Sequence, residues 1–589
     1  MWRVTVRIFA VIGGLSVLGF LGFVGLVAVI ASYVPVRPPL PGSIVLSVDL
    51  DQDLAEGPNP DTVSRVLFGT QPTLRDFLDA LERAGNDPRV KGIYVRLGDD
   101  KLGLARTQEV RDAIAAFRAK GKFAIAFSDT FGEFGPGTRP YYLATAFGDI
   151  WLQPMGDVGL TGLYSETPFL HDALAKLGIT ASFSKREEYK TVMNSLTESA
   201  MTAPQREETD GLLTSLDGQI VHGIAAARKI DDTTLRGLID RAPLFADEAK
   251  AAGLVDHLGY RDQAVQAALR RAGNGAQFVT LTRYLNEAGR PHQSGTKVAL
   301  IYGDGLITRE GTGGGLIGES GLDAGKVAKA FRDAIADKKV HAILFRIDSP
   351  GGSVVASETV WREVERAHRL GKPVVVSMGD VAASGGYYIA APADKIVAEP
   401  ATLTGSIGVV AGKLVLSGLM QKIGVSVGVV ERGANAGIFS AAQNFSPDMQ
   451  HRLDDILDRT YQGFKDRVAA GRHLSPDAVE GVAKGRVWTG QQAKANGLVD
   501  ALGGYSVALG LVRQVAKLPA NAPIHLVVFP QRKNPIRELV DRLEGKRDTV
   551  PGATAAIGAR LGAALALVDR IAALIAAPGT VQMPPIDPR

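Results

Sequence analysis

The chain has 589 residues, more than one hydrophobic core organises, so two or more domains with buried interiors are expected. Its 66 basic and 62 acidic residues leave a formal charge of +4 with no long run of one sign, which gives a nucleic-acid partner no electrostatic support. The absence of cysteine removes disulfides, thiolate catalysis and cysteine-based zinc sites together, so any nucleophile is an oxygen or an amine.

At the N-terminus no charge falls between Arg7 and Arg37, and residues 8–34 are mostly Ile, Leu, Val, Phe, Gly and Ala. Such a run crosses the ~30 Å of bilayer hydrocarbon as a helix. Arg3 and Arg7 precede it and only Arg37 follows closely, so the positive-inside tendency puts the N-terminus in the cytoplasm and the remaining chain outside. Residues 1–40 then form an anchor and a Pro-rich connector. The competing reading is a cleaved secretory signal with residues 28–31 as its cleavage site, but signal cores run to only about 7–15 residues.

From the connector onward the chain repeats itself, the pattern to look for before any other. The β-rich run Ile44-Val45-Leu46-Ser47-Val48 has a counterpart in Val298-Ala299-Leu300-Ile301-Tyr302. Asp87 to Ile93 matches Asp337 to Ile343, and Gly121-Lys122 matches Gly371-Lys372, both at an interval of 250 residues. Tyr141-Tyr142 answers Tyr387-Tyr388, Leu160-Thr161-Gly162 answers Leu403-Thr404-Gly405, and Gly253-Leu254-Val255-Asp256 answers Gly497-Leu498-Val499-Asp500. In each copy β-rich runs (343–347, 374–377, 395–398) alternate with helical stretches such as 356–370, where Val360, Val364 and Ala367 recur at helical spacing. This predicts two α/β domains with largely parallel sheets, a first repeat over 41–285 and a second over 286–520, divided near 272–296. A C-terminal extension, 521–589, carries a charged segment (532–548) and an Ala/Leu-rich stretch (555–577). Arg560, Asp569 and Arg570 make that stretch an amphipathic helix lying on a membrane or another subunit rather than a second span.

The second copy holds the richest chemistry: Asp348-Ser349-Pro350-Gly351-Gly352-Ser353, then Ala382-Ala383-Ser384-Gly385-Gly386-Tyr387-Tyr388. A Gly pair after a buried strand lets backbone N–H groups approach a ligand without side-chain interference, as an oxyanion hole requires. Ser384, between a strand and a predicted helix, would present its hydroxyl near a helix N-terminus. Gly-rich turns and Ser caps are common in α/β proteins, so the surroundings must decide. The first copy has no serine at the place of Ser384, and Arg96-Leu97-Gly98-Asp99-Asp100 stands in place of the Ser-Pro-Gly-Gly turn. No histidine sits in a motif with an acidic partner. A lysine base must be brought down by about three pKa units, roughly 4 kcal/mol, through burial.

The stretch from Gly379 to Tyr388, followed by Leu403-Thr404-Gly405-Ser406-Ile407-Gly408-Val409, resembles the signal peptide peptidase A family, long two-repeat form, of the Clp/crotonase-like fold group. The likeness covers about residues 40–515. It implies two tandem Clp/crotonase-like domains, Ser384 as nucleophile, and Lys190 of the first repeat, in the pair Tyr189-Lys190, as general base. It further implies Ser406 as the residue orienting the lysine amine, with Gly352 and Gly385 supplying oxyanion-hole amides. It also implies a bowl-shaped homotetramer at a bacterial inner membrane that degrades released signal peptides and other apolar peptides, with no metal or cofactor. Glu187 and Glu188 depart from the family's usual Gly-Lys before that pair, and carboxylates there would favour a charged lysine. Lys185 is the reserve base. Two other readings remain open at this stage: a crotonase-like enzyme binding an acyl thioester through the same glycine amides, and a non-catalytic membrane scaffold.

Overall fold

The computed structural model describes residues 39–51, 54–57, 72–98, 101–309 and 321–530. The predicted anchor at 8–34 and the predicted helix at 555–577 lie outside the described residues, among which no helix is long and apolar enough to cross a membrane. The chain divides into two units, Met1–Gly42 and Ser43–Arg589, and every element below belongs to the second.

Two largely parallel sheets form because their strands are apolar on both faces and must be covered by helices on both sides. In the first, Ile44–Asp49 lies between Val90–Leu97 and Gln277–Thr280, and the sheet continues through Phe123–Ser128 and Asp149–Leu152 to His257–Leu258. The second follows the same path. Thr296–Asp304 lies between Val340–Ser349 and Ile524–Phe529, continuing through Val374–Ala383 and Lys395–Ala398 to Ala501–Leu502. Its edge strand therefore comes from beyond residue 520. The helix predicted over 356–370 spans Val354–Arg369 and buries Val360, Val364 and Ala367.

The duplication extends to side-chain bonds. Tyr141 Oη donates to Leu254 O at 2.8 Å and Tyr387 Oη to Leu498 O at 2.9 Å. Lys122 Nζ donates to the carbonyls of Asp87 and Val90, and Lys372 Nζ to those of Asp337 and Val340. Two long helices, Ala203–Arg228 and Pro447–Arg472, are each capped by a hydroxyl, Thr202 or Ser446, with proline in the first turn.

The copies are joined rather than strung together. Thr180–Arg186 of the first pairs antiparallel with Val409–Val415 of the second, Lys185 opposite Val410 and Arg186 opposite Val409. A second link between the copies is Arg346, on a central strand of the second sheet, buried against two first-copy carboxylates. Its Nε donates to Glu56 at 2.5 Å and its Nη2 to Glu109 at 2.9 Å, while Nη1 reaches Ser377 Oγ at 2.8 Å. An ion cluster out of water is costly to form, and costlier to break from one side, because it strands the remaining charges. Arg346→Leu is therefore expected to lower stability by about 3–5 kcal/mol, read as a fall in the urea midpoint, whereas an exposed exchange such as Arg369→Leu leaves the midpoint nearly unchanged.

Candidate active site

Strand Val374–Ala383 ends directly before Ser384, and helix Gly385–Ala390 starts directly after it. Ser384 turns this corner at φ 52° and ψ −118°, a region side-chain-bearing residues avoid at a cost of about 1–3 kcal/mol. The corner is pinned by Ser384 N donating to Gly405 O at 2.9 Å and Tyr388 N donating to Ser384 O at 2.8 Å. Ser406 is also held at positive φ, 49°, with its N–H on Arg486 O at 2.8 Å.

Lys190 reaches this corner from the loop after strand Thr180–Arg186. Tyr189 N donates to Lys484 O of the second copy and Lys190 N to Glu187 O, fixing the loop across the seam. The Lys190 ammonium nitrogen lies 3.0 Å from Ser384 Oγ, 3.0 Å from Ser406 Oγ and 3.1 Å from Ser406 O. Lys190 is only 2% exposed. An apolar group of Leu212, Ala383, Leu403 and Val487, with Val192 and Val381 against it, packs at the same seam. Burial pulls the Lys190 pKa down to about 7, and the opposing pull comes from the Glu208 carboxylate.

Glu187 and Glu188 do not oppose that drop as their position in sequence suggested. Glu188 faces Lys484 Nζ at 3.3 Å, and the carboxylate acting on Lys190 is Glu208. Sequence reasoning missed Glu208. It is buried in the second turn of helix Ala203–Arg228, accepting from Val487 N at 2.6 Å and from Thr191 Oγ1 at 3.3 Å. Burial raises its own pKa to about 7. Its signal was a charge on the stripe Gln205, Glu208, Leu212, Leu216, whose spacing marks the buried face. Lys185 turns elsewhere, its Nζ donating to Asn194 Oδ1 at 2.9 Å.

The glycines bring backbone against the serine. Gly351 and Gly352 have φ of 106° and 145°, and a Cβ on Gly351 would stand 2.9 Å from Ser384 Cβ. A Cβ on Gly385 would stand 3.2 Å from Gly352 N, so these two backbones meet beside Ser384. Gly352 bridges Ile307 through its neighbours: Ile307 N donates to Gly351 O and Ser353 N to Ile307 O, so the Gly352 N–H takes no part. Gly385 opens a helix, where N–H groups have no partner within the helix. The place of Ser384 in the first copy is taken by Thr138, whose Oγ1 donates to Gly162 O at 2.9 Å.

The model of peptidase family S49 matches residues 135–274 and 366–519, one segment in each copy. The chain is 31% identical over 498 residues to the serine protease SPPA, chloroplastic, of Arabidopsis thaliana, covering 82% of this chain and 71% of the relative. It is 32% identical over 478 residues to protease 4 of Salmonella typhi, covering 77% and 75%. Protease 4 of Haemophilus influenzae is 29% identical over 461 residues, covering 75% and 72%. Matched in both halves and along most of each relative's length, the chain belongs to peptidase family S49 and is a serine peptidase.

Proposed function

We propose that this peptidase is a membrane-anchored endopeptidase with Ser384 as nucleophile and Lys190 as base, degrading cleaved signal peptides and other apolar peptides. It is read as a homotetramer held by residues 8–34 in a bacterial inner membrane, its N-terminus cytoplasmic and its catalytic domains outside. The observation that carries the catalytic assignment is the buried Lys190 amine 3.0 Å from Ser384 Oγ. The anchor rests on the uncharged run before Arg37, and the substrate class and tetramer rest on the family resemblance.

A neutral amine has two N–H bonds and one lone pair. Donating the N–H bonds to Ser406 O and Ser406 Oγ turns the lone pair toward the Ser384 hydroxyl. Lys190 takes the hydroxyl proton as Ser384 Oγ attacks the peptide carbonyl, and the Gly352 and Gly385 N–H groups receive the charge developing on the carbonyl oxygen. When the C–N bond breaks, the Lys190 ammonium returns that proton to the leaving amine. Water, deprotonated by the same amine, then attacks the ester, and the ammonium passes that proton to Ser384 Oγ as the ester bond breaks.

Incubating the purified full chain with a synthetic signal peptide tests the assignment. Ser384→Ala and Lys190→Ala should each lose at least about 10³-fold in kcat/KM, and a Lys190→Ala variant that keeps its activity while Lys185→Ala loses it would move the base to Lys185. Because neutral Lys190 is the active form, kcat/KM should rise with pH through about 7. In Glu208→Gln, which keeps an acceptor for Val487 N but loses the charge that favours protonated Lys190, that rise should move to lower pH. An unmoved profile would remove Glu208 from the tuning of the base.

The depressed pKa also sets a pH-dependent stability cost. The unfolded chain keeps its lysine proton up to about pH 10.5 and the folded one releases it near 7, so the cost is full below 7 and fades as pH rises toward 10.5. Lys190→Met should therefore show its largest gain in Tm over the native chain at pH 6 and a smaller one at pH 10. An equal difference at both pH values would contradict a buried, easily deprotonated amine.

A further inference from the structure

The loop that carries Lys190 and the turn that carries Ser406 both rest on one short segment, residues 484–488. Tyr189 N donates to Lys484 O at 3.1 Å, Gly485 N to Ile407 O at 2.8 Å and Ser406 N to Arg486 O at 2.8 Å. Strand Val487–Thr489 then pairs antiparallel with Leu403–Gly405, Val487 opposite Gly405. Gly485, at φ 84°, leaves no room for a side chain, since a Cβ there would stand 2.5 Å from Lys190 N and 2.6 Å from Lys190 Cβ. The segment thus touches both the loop that brings the amine and the turn that receives it.

One side chain of this segment fastens it to the loop. The Arg486 guanidinium carbon lies 4.8 Å from the centre of the Tyr189 ring and 4.7 Å from that of Trp488, within the range of cation–π attraction. Arg486 Nη1 donates to Glu207 Oε1 at 2.8 Å, and Tyr189 Oη donates to Glu207 Oε2 at 2.9 Å. Glu207 therefore bonds both the guanidinium and the ring beside it, and the three side chains close a circuit around the residue before Lys190. Trp488 is held in turn, its Nε1 donating to Val482 O at 2.9 Å. A Cβ on Gly405 would stand 2.8 Å from Trp488 Cδ1, so the indole lies against the turn just before Ser406.

Folding stability does not account for this circuit. The Glu207 side chain is 57% exposed, and an ion pair so open to water contributes little. The first copy also builds the same strand-to-helix corner without it. Counting from the equivalent helix caps Phe245 and Thr489, Arg486 corresponds to Ala242 and Trp488 to Leu244. The arginine stack stands in the copy that faces Lys190.

We propose that Arg486 is a positioning residue for the base. Its carbonyl holds the Ser406 N–H and its guanidinium holds the Tyr189 ring, so one residue sets the placement of the amine on Ser384 and Ser406. It acts through those neighbours, not on the reacting atoms, and the proposal rests on Lys190 being the base. Without the guanidinium the Tyr189 ring is released and the amine drifts from Ser384 Oγ, and a misplacement of about 1 Å costs up to about 10²-fold in rate. Drift also admits water, which restores the amine's affinity for protons, while the carboxylate acting on Lys190 remains that of Glu208.

The test follows kcat, KM and the pH midpoint of kcat/KM for the full chain in detergent acting on a synthetic signal peptide. Arg486→Leu removes a positive charge and Glu207→Ala a negative one, so a simple field effect on Lys190 would move the two midpoints in opposite directions. Loosening of the loop moves both upward. Expected for Arg486→Leu is a loss of at least about 10-fold in kcat with KM within about two-fold of native, with Glu207→Ala losing less and Arg486→Lys, which keeps the charge but not the flat face, falling between native and Arg486→Leu. Should Arg486→Leu fail to fold, the exposed Glu207→Ala carries the test. Midpoints that part in opposite directions, or a lowered Tm with native kcat and midpoint, would overturn the positioning role. Lys190→Ala, assayed alongside, separates the two levels: if it is inactive while the Arg486 and Glu207 variants match the native chain, only this proposal falls, and if it stays active the assignment of the base falls and takes this proposal with it.

Discussion

A lysine amine in water is a cation, and burial of the Lys190 amine brings its pKa down to about 7, where it can act as a base. In this fold Lys190 lies 3.0 Å from Ser384 Oγ and is only 2% exposed. The two groups come from different copies of one domain, so neither copy alone can hold the pair. Strand Thr180–Arg186, which leads into the Lys190 loop, pairs with Val409–Val415, and the apolar group around Val487 joins residues of both copies. The site is thus a property of the joint.

That joint explains features that would be liabilities elsewhere. Arg346 and its two carboxylates place an ion cluster in the core, where apolar residues of similar size often serve stability as well or better. It ties a central strand of one copy to segments of the other, and the lysine loop depends on their relative placement. Ser384 and Ser406 both sit at positive φ, strain that persists only where surrounding bonds over-determine it. Glu208 does two things at once: it holds Val487 N and Thr191, and it moderates how far the amine's affinity for protons falls.

Much of this was legible in the residues. The repeat, the alternation of strands and helices, and the strand-to-helix corner at Ser384 follow from spacing and turn chemistry, which are local. The proposed base was not legible from local pattern, because a lysine between Tyr189 and Thr191 reads as a solvated side chain until distant Ser384 and Ser406 are seen to meet it. The directions of Glu187 and Glu188 were hidden for the same reason: Lys484, almost 300 residues away, is what Glu188 faces. Glu208 was visible only as a charge on an apolar stripe. The strand Ile524–Phe529 lay past the predicted end of the repeat, since an edge strand adds little periodicity of its own.

In the proposed mechanism Ser384 becomes a nucleophile because a neutral amine, Lys190, sits beside it. Its most direct measurement is the rate at which a fluorophosphonate modifies the full chain as a function of pH, with the modified residue located by mass spectrometry. The expected adduct is on Ser384, with a rate of formation that climbs through a midpoint near pH 7 and vanishes in Lys190→Ala. A rate flat from pH 5 to 9, or one that climbs only near the pKa of an ordinary lysine, would contradict it.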